Sequence, residues 1–158
     1  MSLIINFLRG LFGNNPKGAA KSTTNDYMQR WEEDRRKSIK ATEQRLGNWI
    51  IALVNQKGSL PFSWESGNDE AFLTFTDFTE AEEDNFMDLE QYIINKLDIP
   101  DAGEFEMTGS GTIYITGNSV RVKYSSTIKG VIDYDEETDQ EIYSEEEQDS
   151  GDELLFSI

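Results

Sequence analysis

Residues 111–124, GTIYITGNSVRVKY, constrain the fold more than any other part of the chain. Two runs of alternating apolar and polar residues flank Gly117 and Asn118, a pair suited to the tight turn that joins neighbouring antiparallel strands. A two-residue turn permits one register, in which Ile115 faces Val120 and Ile113 faces Val122. Those four side chains mark the core face. Thr112, Tyr114, Arg121 and Lys123 fall on the other face, with Tyr114 opposite Arg121. A basic and aromatic sheet surface can hold nucleic acid or a phosphoryl group. Against so negative a chain, a solvated face with one cross-strand cation–π contact between Tyr114 and Arg121 is expected.

Other segments extend the sheet. LPFSWES and EAFLTFTDF read as strands around the turn SGND, and EFEMT and STIKGVIDY add two more. Between residues 26 and 56, Met28, Trp31, Arg35, Ile39, Thr42, Leu46, Trp49 and Leu53 recur at helical spacing. The second half of that helix is apolar enough for the core. Its first half is highly charged and is expected to project into solvent, with Arg35, Arg36, Lys37 and Lys40 pairing mainly with Glu32 and Glu33. A second helix opens at a capping box of Thr79 and Glu82, buries Phe86, Leu89, Ile93 and Leu97, and stops before Pro100.

The expected class is α+β: a twisted antiparallel sheet of about five or six strands with two main helices packed on one face. A short N-terminal amphipathic helix is added by Ile4, Phe7, Leu8, Leu11 and Phe12. The organisation follows as an amphipathic segment at 1–13, a flexible linker at 14–25, a single α+β domain at 26–132 and an acidic C-terminal segment with an apolar end at 133–158. The linker GNNPKGAAKST has the glycines of a phosphate-binding loop, but Ala19 stands where the lysine is required and no strand precedes it.

Charge and missing residue types narrow the function. The chain of 158 residues has a formal net charge of −17, distributed as +5 over residues 1–58, −10 over 59–100, 0 over 101–130 and −12 over 131–158. A field of this sign repels nucleic acid and attracts basic proteins. There is no Cys and no His. That excludes Cys/His zinc sites, Cys or Ser–His nucleophiles, imidazole acid–base chemistry and disulfides. No Lys has Asp or Glu two residues before it, so the acid-x-lysine pattern of metal-dependent nucleases is missing. Asp133, Asp135, Glu137 and Asp139 alternate like the first ligands of a calcium loop, but Thr138 replaces its glycine and Ser144 its closing glutamate. Neither a metal nor a cofactor is expected.

The chain therefore reads as a non-enzymatic acidic binding protein that covers a basic surface of a partner protein. The nearest functional types are immunity-type and nucleic-acid-mimic inhibitors of a nuclease or other nucleic-acid-handling protein, with no direct contact to nucleic acid. Candidate contact residues are Asp84, Asp88, Glu90, Asp135, Glu137, Asp139, Glu141 and Tyr143, because carboxylates steer a cationic partner and exposed aromatics hold it. The alternative is an accessory or scaffold protein docked to a membrane surface or larger assembly through Ile4, Phe7, Leu8, Leu11 and Phe12. A cytoplasmic location is expected, since no apolar run approaches the roughly 20 residues of a membrane-spanning helix.

Overall fold

Each of the first two hairpins is set by a two-residue turn. β1 (Leu60–Gly67) turns through Asn68 and Asp69, both at positive φ, into β2 (Glu70–Phe75). That is the type I′ geometry whose twist matches paired strands. β3 (Glu106–Thr116) turns through Gly117, at φ 56°, and Asn118 into β4 (Ser119–Asp135). The register is the one dictated by the sequence, with Ile113 opposite Val122 and Ile115 opposite Val120. β5 (Gln140–Ser157) completes a five-stranded antiparallel sheet in the order β2-β1-β3-β4-β5. The computed structural model describes residues 21–103 and 105–158. The amphipathic segment, with Ile4, Phe7, Leu8, Leu11 and Phe12, lies outside the described residues.

Five strands arise because the separate runs expected before and after the hairpin are continuous with it. The last three residues of EFEMT open β3, and STIKGVIDY belongs to β4. The acidic C-terminal residues supply β5, which pairs with β4 along nearly its whole length. The segment set apart at 133–158 therefore spans the end of β4 and all of β5.

Among the described residues, two helices cover one face of the sheet. α1 (Lys21–Lys57) contributes Leu46, Ile50, Leu53 and Val54 to the core, while α2 (Glu83–Leu97) buries the expected Phe86, Leu89, Ile93 and Leu97, plus Tyr92 and Ile94. The early part of α1 stays exposed, including Met28 and Trp31. Arg36 pairs with Glu32 as expected, but Lys37 pairs with Asp34, and Arg35 stacks on Trp31 and binds Asp98. α2 ends before Pro100 is reached. Asp98 takes the left-handed conformation and Ile99 N–H bonds the Ile94 carbonyl, a Schellman closure with Ile99 buried behind it.

The capping box forms in altered shape. The Thr79 hydroxyl donates to the Glu82 carboxylate instead of accepting from a backbone N–H, and the other Glu82 oxygen accepts from Trp49 Nε1 at 2.8 Å. A short 3-10 turn, Glu80–Glu82, thus precedes α2 and pins α1 to it.

Glycines set the thickness of the sheet beneath the helices. A Cβ at Gly109 would lie 2.0 Å from the Trp64 indole, and one at Gly111 would lie 2.4 Å from the Phe62 ring. Trp64 and Phe62 lie flat across β3 at these gaps, and the two rings stack with centroids 6.0 Å apart. Tyr124 lies over Gly151 of β5 in the same way.

β5 is held to the helices by a polar clasp. The register shift between Val120 and Arg121 leaves Leu155 as an extra residue, its side chain fully buried. Its carbonyl accepts from Lys96 Nζ at 2.8 Å and from the Tyr92 hydroxyl at 3.4 Å. Glu43 of α1 accepts from the same two groups. Burial first, and Glu43 second, push the Tyr92 phenol far above its usual range.

Candidate functional site

Among the described residues, β4 beyond Lys129 pairs with β5 alone. The last residue pair between β3 and β4 is Glu106 with Lys129, whereas β4 and β5 continue pairing to Asp135 and Gln140. A two-stranded ribbon therefore projects past the sheet, closed by residues 136–139. Asp135 builds the turn, accepting from the backbone N–H of Glu137 at 2.9 Å and of Thr138 at 3.3 Å, while Asp139 adopts positive φ to lead into β5. Hydrogen bonds from the Thr138 hydroxyl and from these backbone groups hold the Asp135 carboxyl below its ordinary value. That role replaces the calcium-loop arrangement. Among the described residues no cluster of His, Cys, Asp or Glu could hold a metal ion.

Strand register assigns the ribbon's two faces. Val131 pairs with Tyr143 and Tyr134 with Glu141 on one face, while Asp133 pairs with Ile142 and Asp135 with Gln140 on the other. Val131, Tyr134, Ile142 and Tyr143 are 55%, 49%, 43% and 45% exposed, so apolar surface lies open on both sides. Tyr134 donates to Asp139 and Tyr143 to Glu141, which raises both phenols above their usual range and holds the rings beside carboxylates. Lys129 stands at the base of the ribbon. It bonds Glu106 at 2.9 Å and sits 4.3 Å from the centre of the Tyr143 ring. No Lys or Arg follows it in the chain. Among the described residues, no carboxylate between Asp133 and Glu147 forms a salt bridge.

Five of the eight candidate contact residues, Asp135, Glu137, Asp139, Glu141 and Tyr143, meet on this ribbon. The other three sit on α2. Asp88 is bound by Arg45, whose guanidinium keeps the carboxyl below its ordinary range. Glu90 accepts the backbone N–H of Leu73 at 2.8 Å and so covers an outward-facing donor of β2. Asp84 is exposed in the first turn of α2. The sequence reading missed Val131, Asp133 and Tyr134 as partners of this site. The alternation of apolar and acidic residues across 131–143 was the available signal.

The basic and aromatic patch is neutralised from β5. Tyr114 and Arg121 make no cation–π contact among the described residues, because both bind Asp152 instead. The phenol donates to Oδ2 at 2.6 Å and Arg121 Nε to Oδ1 at 2.8 Å, with a further bond from the guanidinium to the Asp152 carbonyl at 2.9 Å. Tyr114 first and Arg121 second hold the Asp152 carboxyl below its usual value. This triad ties β3, β4 and β5 together on the uncovered face.

No helix among the described residues is long and apolar enough to cross a membrane. Comparison with protein-family models, with curated proteins and with solved structures gave no match.

Proposed function

We propose that this protein is a non-enzymatic binding protein that uses the β4–β5 ribbon to cover a basic surface of a partner protein. One observation carries the reading. The ribbon combines carboxylates that have no salt-bridge partner among the described residues with exposed Val131, Tyr134, Ile142 and Tyr143, whereas Asp88 on α2 is already neutralised from within. Carboxylates accelerate and orient the encounter, and the aromatic side chains provide the contact area that holds it. Acid on both faces of a narrow ribbon suits a basic groove more than a flat basic patch. Such grooves are characteristic of proteins that handle nucleic acid, where lysine and arginine neutralise phosphates. The favoured partner is therefore a nuclease or similar protein, inhibited by occupation of its nucleic-acid site.

The test is affinity capture from the source cell with the native chain and with a variant carrying D133N, D135N, E137Q, D139N and E141Q. Capture is expected to favour a basic protein at low salt, to weaken as salt rises, and to fail with the variant. The captured protein's activity on nucleic acid should fall when the native chain is added. Capture that ignores both salt and the variant, but disappears when residues 1–13 are deleted, refutes the ribbon reading.

A further inference from the structure

We infer that the outer edge of β5 over residues 140–147 accepts a basic extended segment of the partner as an added strand, an inference that rests on the ribbon reading and specifies how the ribbon binds. β5 is terminal in the sheet, and among the described residues it pairs with β4 alone. Its outward backbone N–H and C=O groups form an open row, the template on which strand addition works.

The other stretches of sheet edge are treated differently. β2 has six residues, and the Glu90 carboxylate occupies the Leu73 N–H. At the far end of β5, Lys96 and Tyr92 take the Leu155 carbonyl, and Phe156 packs at Gly47 of α1. Over 140–147 no comparable cover is formed by the described residues. This stretch also contains no extra residue on β5, since the register shifts leave Gln148 and Leu155 as the inserted positions on that strand. Bulges twist an edge out of pairing geometry; the two on β5 fall outside the open stretch, and the third shift, between Val131 and Asp133, puts its extra residue on β4, away from the outer edge.

Side chains select the occupant. Pairing with a second copy through this edge would set rows of carboxylates against each other, which is destabilising across strands. A strand bearing Lys or Arg instead meets Glu141, Glu145 and Glu147 on one face and Glu146 on the other. Exposed Ile142 and Tyr143, on opposite faces, offer contact to apolar residues of the same strand. The edge thus discourages self-association and admits an extended segment that mixes cations with apolar residues.

The experiment titrates the full chain with a synthetic peptide of alternating lysine and valine, as long as the 140–147 stretch. A second peptide of the same sequence has every backbone amide methylated, which retains the charge and removes the donors. Binding is followed calorimetrically at low salt, and backbone amide exchange is followed by NMR. The unmethylated peptide is expected to bind, to slow exchange of outward amides within 140–147 by roughly tenfold or more, and to lose at least about tenfold in affinity on methylation. Equal binding of both peptides without protection of 140–147 overturns strand addition and leaves the acidic-ribbon reading standing. Protection confined to β2 also overturns it. If neither peptide binds at low salt, the ribbon reading fails along with the inference.

Discussion

Replacing Gly109 with alanine tests the aromatic layer that spaces the sheet from its helices. The added Cβ would lie 2.0, 2.2 and 2.4 Å from three atoms of the Trp64 indole, against the roughly 3.5–4.0 Å of an ordinary carbon contact. The ring is 3% exposed, stacks on Phe62 and leans on Tyr124 at a centroid distance of 6.5 Å, so it has no solvent side to move into. Forcing a methyl group into such packing costs about 1–3 kcal/mol. Alanine recovers about 0.5–1 kcal/mol of the backbone entropy that glycine sacrifices in a strand, because Gly109 does not adopt a positive φ. With an overlap this deep the steric cost prevails, and a net loss of about 2 kcal/mol is expected, equivalent to roughly 4–8 °C in Tm for a chain of this size. Urea unfolding followed by circular dichroism measures the loss. The same substitution in a Trp64→Leu background should be neutral or slightly stabilising, giving a coupling of about 2 kcal/mol. Equal destabilisation in both backgrounds, or stabilisation with Trp64 present, would refute the reasoning.

Two adjacent leucines separate fold from surface in β5. Leu155, at 1% exposure, should lose about 2–4 kcal/mol on replacement by alanine, whereas Leu154, at 45%, should change stability by less than about 0.5 kcal/mol. Denaturant unfolding distinguishes them, and similar losses would contradict the assigned facing. Burial, followed by Glu43 for Tyr92 and by Glu153 for Tyr124, raises both phenols, so the folded state keeps protons that the unfolded state releases above about pH 10. Their contribution to stability is intact below that pH and is lost as pH rises further; phenolate absorbance should show both tyrosines ionising only with unfolding. A smooth titration of all six tyrosines near pH 10 with the fold retained would contradict this. Finally, E145Q, E146Q and E147Q together should promote self-association in sedimentation experiments, since charge on an open edge opposes strand pairing between copies. An unchanged monomer fraction would remove that role from the glutamates.

Of the candidate site, the sequence revealed the chemistry but not the scaffold. The acid and the interrupting Ile142 and Tyr143 are legible in any reading of residues 133–153. That they stand on a ribbon is not, because Asp and Glu are poor strand formers and β5 owes its conformation to β4. Asp88 and Glu90 look equally available as letters. Their engagement with Arg45 and with Leu73 N–H depends on groups brought close only by packing.

The sequence by itself determined the parts governed by neighbours along the chain: the turn at Gly117 and Asn118 with its register, the hairpin around Asn68 and Asp69, and the buried stripe of α2. Turn geometry and side-chain periodicity act over a few residues, so local chemistry suffices. Tertiary structure alone decided that Asp152 would bind Tyr114 and Arg121, that Gly109 and Gly111 would make room for rings from β1, and that Leu155 would leave the ladder to be clasped by α2. Each requires strands or helices distant in sequence to meet at a particular offset. That offset is fixed by the fit of the whole core, which no local pattern encodes.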